Sequence, residues 1–309
     1  MQKMLRFWLA LLPLSSFGGG LGLFLVCSVA GYSLTSAQSM APRDYRIFDN
    51  AAQKEITLAE LADAGAEAQV IFFGEQHNDS IGHVVQAELY RELLARYGDV
   101  SLSLEMFETD CQLVLDEYLD GHIPERNFIK DSRPWDNYKT AYRPLVEAAR
   151  GKGQKVVAAN APRRYVSLVG KKTQSALKKL DAEARAYLPP LPFFAEDEDY
   201  LERFQEAMGG GVHTVSPAFF QAQCLWDASM GYRIYRHWKK HKPRLILHLN
   251  GSFHTDYRQG TINQLRRYGK KMTYKNISSS TVPDVDGYRP RWEQQMATAD
   301  YTVVTRPFR

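Results

Sequence analysis

The chain has 309 residues, 44% of them apolar and 24% charged, with a formal net charge of +4. This is the composition of a globular protein and excludes a fibrous or fully disordered one. Discounting Lys3 and Arg6 of the N-terminal leader leaves a body at +2, and no motif or basic excess argues for nucleic-acid binding.

Residues 1–37 read as an export signal. Lys3 and Arg6 give a positive start, Leu9 to Leu14 and Leu21 to Ala30 are apolar, and Thr35-Ser36-Ala37 offers small residues for cleavage after Ala37. Acylation of Cys27 as a lipid anchor ranks second, since Phe24-Leu25-Val26 makes an atypical lipobox, and a retained helix ranks third. All three place the body, residues 41–309, outside the cytoplasm, in the periplasm or at the outer-membrane surface. That length suffices for one large α/β domain.

Arg46-Ile-Phe-Asp49 suggests an edge strand, and Thr57 with Glu60 a capping box opening a helix. Val70-Ile71-Phe72-Phe73 then runs into Gly74, Glu75 and His77. Continuous rather than alternating apolarity marks a strand buried on both faces of a parallel sheet, and open α/β sheets bind ligands past the carboxyl ends of such strands. Asp79 or Ser80 caps the next helix, which runs to Gly98. His83 in its first turn either faces the site or is an ordinary helix residue.

Three later stretches repeat the plan. Val100–Met106 ends at Glu105, Lys155–Arg163 carries Asn160 and Arg163, and Arg244–His254 carries Asn250 and His254. Between them, Asp131–Pro144 is aromatic, proline-bounded and reads as irregular. Its Trp135, Tyr138 and Tyr142 either line a flat hydrophobic ligand or pack the core. Residues 171–215 break the strand–helix rhythm with Pro189-Pro-Leu-Pro192 and Gly209-Gly-Gly211 and read as a helical insertion, with His213 left open. Phe193-Phe194 and Phe219-Phe220 either cover a ligand or are buried. A long helix over 217–241 follows. Asp227 within it is either solvated or orients a site His or Arg. A helix over 261–268 and strands over 272–276 and 301–304 close the domain. Cys111 and Cys224 sit in apolar helical patterns and read as inert core thiols.

The expected fold is therefore α/β, three-layered, with a mainly parallel central sheet and an inserted helical subdomain at about 171–215. If the four strands are parallel neighbours, Glu75, His77, Glu105, Asn160, Arg163 and His254 share one rim. Glu75, His77 and His254, with Glu105, could hold a divalent metal and activate water. The same set could work without metal, a Glu serving as base and His254 as acid. Asn160 suits an oxyanion or carbonyl, and Arg163 a carboxylate.

The paired units Gly74-x-x-His77 and Gly251-x-x-His254, with Leu104-Glu105, Ala159-Asn160-Ala-Pro-Arg163, Leu225-Trp226-Asp227 and Ala299-Asp300-Tyr301, resemble the ChaN-like family of bacterial haem-binding, iron-regulated lipoproteins. That family groups with Tiki, TraB and erythromycin-esterase-like proteins. The likeness spans about residues 45–305. It implies an exported haem-binding protein of iron uptake, able to form a homodimer around stacked haems and to work with an outer-membrane haem receptor. It also implies a tyrosine on the haem iron, with a histidine of the other subunit nearby. Tyr138 and Tyr142 are the candidates, with Trp135 and His83 beside them. The atypical lipobox departs from the family pattern. Relatives in the wider superfamily imply the alternative, a metal-dependent hydrolase of peptidase or esterase class.

Overall fold

The computed structural model describes residues 43–208 and 215–307. The leader with Cys27, and the glycine run with His213, lie outside the described residues. Eight strands form one sheet: β1 (Tyr45–Asp49), β2 (Lys54–Ile56), β3 (Val70–Glu75), β4 (Val100–Glu108), β5 (Val156–Asn160), β6 (Leu245–Gly251), β7 (Tyr274–Thr281) and β8 (Tyr301–Thr305). Their spatial order is β2-β1-β8-β7-β3-β6-β4-β5. All pairings from β8 through to β5 are parallel, and only the β1 pairings with β2 and β8 are antiparallel.

Helices α1 (Leu58–Asp63), α2 (Ser80–Tyr97), α3 (Gln112–Leu119), α4 (Glu125–Ser132), α5 (Tyr138–Ala141) and α6 (Arg143–Gly151) precede or connect the first strands. Helices α7 (Arg163–Lys172), α8 (Ala182–Arg185), α9 (Glu198–Ala207), α10 (Pro217–His241), α11 (Gly260–Tyr268) and α12 (Trp292–Thr298) follow.

The sheet is the middle of three layers, as alternation along β3 shows. Ile71 and Phe73 join a core containing Val85, Leu89 and Leu93 of α2 and Leu145 and Val146 of α6. Val70 and Phe72 join another with Ile234 of α10 and Ile262 and Leu265 of α11. Both faces are covered, which is why the strand carries no polar side chain until its end. No helix among the described residues is long and apolar enough to cross a membrane.

Local signals set the boundaries. Thr57 and Glu60 close the capping box, Asp79 rather than Ser80 caps α2 by accepting from the Gly82 N–H, and Ser216 caps α10 ahead of Pro217. Residues 131–144, expected to be irregular, instead end α4 and form α5 and the start of α6. The chain beyond β5 also turns helical at once. Tyr165, Val166 and Val169 of α7 hold helical spacing and join Tyr200, Phe204, Phe220 and Leu225 in a smaller core under α8 and α9. Phe193 and Phe220 are buried, while Phe219 stays exposed. Cys111 and Cys224 are buried free thiols, and burial pushes the Cys111 thiol up to about 12.

The outer edge of β5 is closed by a side chain. Gln112 at the start of α3 donates to the Val156 carbonyl and accepts from the Ala158 N–H, both at 2.8 Å. On the far layer α10 and α11 touch backbone to backbone, since a Cβ on Gly231 would lie 2.8 Å from the Leu265 nitrogen. Gly231→Val should therefore force the two helices apart and destabilise the protein by about 1–3 kcal/mol, read as a lower denaturant midpoint with an unchanged slope.

Candidate functional site

Strands β3, β6, β4 and β5 are consecutive and parallel, so their carboxyl ends share one edge. Glu75 is paired with Gly251, and a register shift in β4 after Leu104 brings Glu108 opposite Asn160. His77, Glu105, Asn160, Arg163, His254 and Trp135 line a hollow of about 230 Å³. A second hollow, about 300 Å³, adjoins it through the shared His77 and His254 and includes Glu75, Met208 and Phe253. The six rim residues expected from sequence thus converge.

Glu75 is fully engaged. Its Oε1 accepts from the Tyr142 hydroxyl at 2.5 Å and faces His77 Nδ1 at 2.9 Å, while its Oε2 accepts from Gln86 Nε2 at 2.6 Å. His83 braces the assembly from α2, with Nδ1 3.0 Å from Gln86 Oε1 and Nε2 3.1 Å from the His77 carbonyl. The His77 ring packs edge-on to Trp135 at 4.8 Å. Burial lowers the His77 pKa, but the Glu75 hydrogen bond and the charges of Glu105 and Glu75 outweigh it and leave it raised. Its free edge faces the end of β6, where a Cβ on Gly251 would stand 2.8 Å from Nε2, so glycine is needed there.

His254 stands between two carboxylates. Its Nδ1 lies 2.7 Å from Asp227 Oδ1 and its Nε2 3.5 Å from Glu105 Oε1. Asp227, wholly buried on α10, also accepts from Tyr200 at 2.8 Å and Thr261 at 3.0 Å. Glu105 Oε2 accepts the Gly251 N–H at 2.7 Å, tying β4 to β6 beyond their last paired residues. Burial alone would depress the imidazole. The charges of Asp227 and then Glu105 reverse this and raise His254 to about 9, so it carries a proton at neutral pH. Of the two readings of Asp227, the structure selects the partner of a site histidine.

The remaining expectations divide. Asn160 Oδ1 accepts from the Ala161 N–H at 2.9 Å, and the residue lines the hollow. Arg163 is exposed in the first turn of α7 and forms no ion pair among the described residues. The expected metal site of Glu75, His77 and His254 is corrected. Among the described residues no group of three His, Cys, Asp or Glu side chains could hold an ion. Both Glu75 oxygens are already committed to Tyr142, His77 and Gln86, so the set lacks the free carboxylate that a third ligand would need.

Tyr138 and Tyr142 are corrected as iron ligands. Tyr138 is buried against Phe107 and Phe128. Tyr142 is wholly buried, and burial with the Glu75 charge holds its hydroxyl far above the usual phenol range, as a donor. His83 is buried as a brace rather than a pocket wall. Sequence reasoning missed Gln86, Tyr200 and Tyr257. The first two have no motif and matter only through tertiary contact. Tyr257 had one signal, its place three residues after the second Gly-x-x-His unit.

An open α/β sheet with a polar cleft at its carboxyl edge, built from paired carboxylate–imidazole units, defines a ligand-binding α/β protein. Within that class the chain belongs to the haem-binding uptake family ChaN of the Tiki superfamily, whose profile matches residues 61–265. The fold is similar to that of ChaN of Campylobacter jejuni, described with cofacially bound haem. The TM-score is 0.64 at 17% identity, covering 86% of this chain and 98% of that one. An erythromycin esterase, EreC in its open conformation, matches with TM-score 0.45 and 12% identity over 86% of this chain and 83% of that one. No curated protein sequence matches the chain.

Because the His254 pKa is raised in the folded state, the stability it contributes is complete below the unfolded value of about 6.5. It is lost as pH rises through about 9. The wild type should lose stability across that window. Asp227→Asn should flatten the loss and move the His254 NMR titration midpoint downward. An unmoved midpoint would contradict the ion pair.

Proposed function

We propose that this protein binds haem and serves haem or iron uptake outside the cytoplasm. Family membership supports the ligand. The observation that carries the reading to this chain is Tyr257. It is the one tyrosine of exposed class among the described residues, 44% accessible. It occupies a left-handed backbone conformation (φ 60°, ψ 14°) three residues after His254. Arg258 follows at φ 59°. Non-glycine residues held there cost of order 1 kcal/mol each, and such strain collects at ligand sites.

Arg203 fixes the turn. It donates to the Asp256 carbonyl and to Gln259 at 2.7 Å each, and also to the Phe253 carbonyl. Exposed Phe219 and half-buried Phe253 both pack on the buried Phe204 nearby, with Met208 exposed beside the second hollow. A flat macrocycle suits such a surface, and an accessible phenol is a known kind of haem ligand. Tyr257 thus replaces Tyr138 and Tyr142 as the candidate for the iron. A homodimer closing on bound haem and delivery from an outer-membrane haem receptor belong to the same proposal, with export by cleavage after Ala37 ranked ahead of attachment through Cys27.

Haemin titration of the purified protein should produce a Soret band. Tyr257→Phe should weaken binding about tenfold or more, equivalent to at least about 1.4 kcal/mol. Tyr142→Phe should instead lower stability and leave affinity nearly unchanged. Equal affinity in wild type and Tyr257→Phe would remove the assignment.

One observation favours a second reading, hydrolysis without metal. His254 holds a proton at neutral pH opposite Glu105, whose Oε1 meets no closer protein donor. Glu105 would take a proton from an attacking water and His254 would give one to the leaving group. Asn160 would donate to the oxyanion. Chelator-resistant turnover of an ester substrate, abolished by Glu105→Gln, is the expected result. Turnover that survives the substitution would exclude it.

A further inference from the structure

A third cavity, of about 290 Å³, lies away from the cleft, against the start of β5 and the last turns of α10. Asn160 of the cleft stands at the far end of β5, about 13 Å along the strand from Val156. Asp227 precedes Arg233 by roughly 9 Å along α10. Lys155, Arg233, Arg236, His237, Lys240 and His241 all line this cavity, and its one acid is Asp116. Asp116 itself accepts from Gln112 at 3.0 Å. None of the four Lys and Arg side chains forms an ion pair among the described residues, although thirteen Lys or Arg pairs with acids occur elsewhere among them.

The crowding has measurable consequences. Burial, then the charge of Arg236, lowers the Arg233 pKa. Burial, then His241, Arg233, Lys155 and Lys240, pushes His237 down to about 4. His237 is held as a neutral ring, its Nε2 2.9 Å from Ser101 Oγ, and stacks near His241 at 4.8 Å.

Ordinary helix physics explains only part of this. Cations in the final turn of α10, Lys239 and Lys240, suit the carbonyl end of the helix dipole. Arg233 and Arg236 stand more than a turn earlier, and Lys155 comes from the segment before β5. Nothing in secondary structure requires uncompensated positive charges to face one another across a concavity. Their mutual repulsion costs stability unless something anionic neutralises it. Three separate directions of approach, from Lys155, Arg233 and the Arg236–Lys240 side, suit a compact tetrahedral anion better than a flat carboxylate. The fork of an arginine and the point charge of a lysine are both common phosphate donors.

We propose that this basic cavity binds a phosphate group carrying two or more negative charges. The volume admits a phosphomonoester or pyrophosphate, free in solution or at the head of a lipid.

The test uses the intact protein and inorganic pyrophosphate as probe, followed by calorimetry at low and at physiological ionic strength. Saturable binding that weakens with salt is expected. Arg233→Gln should weaken it about tenfold or more. Because Arg233 is partly buried, the exposed pair Arg236→Gln with Lys240→Gln provides a second variant whose folding is not at risk. Lys171→Gln with Lys172→Gln, on α7, provides a charge-matched control. Vesicles of phosphatidic acid in phosphatidylcholine, whose headgroup is a phosphomonoester, then distinguish the sources. Retention that pyrophosphate reverses assigns a lipid headgroup, and absence of retention with pyrophosphate bound assigns a soluble phosphate. No binding of pyrophosphate at millimolar concentration, or equal weakening in the control, overturns the proposal. Haemin titration of the same variants should be unchanged, separating this site from the cleft.

Discussion

Parallel neighbours in a sheet must deliver their carboxyl ends to the same edge, and this single constraint assembles the cleft. Once β3, β6, β4 and β5 pair in that order, Glu75, Glu105 and Asn160 cannot be anywhere but together, and the turns after β3 and β6 bring His77 and His254 over them. The apolar runs that precede these residues supply the burial that holds the strands in place. The cleft is thus a by-product of core formation: the residues that anchor the strands are not those that line it, but neither set could be placed without the other.

Polar groups at that edge are kept there by satisfying one another. Asp227 is entirely buried, a position that would be prohibitive for a lone carboxylate. Contacts from His254, Tyr200 and Thr261 compensate it. Glu75 is treated likewise by Tyr142, Gln86 and His77. The result is two carboxylate–imidazole units of differing character. One is saturated and braced from α2. In the other, His254 reaches toward a carboxylate with room left at its oxygen.

The strands, most helices and the six rim residues were legible in the sequence because their signals are local: continuous apolar runs, glycine stops and capping residues. What could not be read was where a side chain points after two elements have packed. Tyr142 looks like a ligand residue in a stretch of aromatics, yet helix formation over 138–151 turns it inward to Glu75. Asp227 looks like an interruption in an amphipathic helix, and only the approach of the turn after β6 makes it a partner. The donor set looked adequate for a metal because a residue list records donors but not their prior commitments. Tyr257 drew no attention because its exposure is a property of the folded turn and not of residue type.

The side-chain amide of Gln112 on the outer edge of β5 has a consequence beyond local satisfaction. A sheet margin normally offers free N–H and C=O groups, an invitation to any extended peptide, including another copy of the same chain. Here a carboxamide occupies the Val156 and Ala158 groups as a ninth strand would. A molecule so closed can end its sheet in a five-residue parallel strand and still resist the edge-to-edge joining that leads to aggregates.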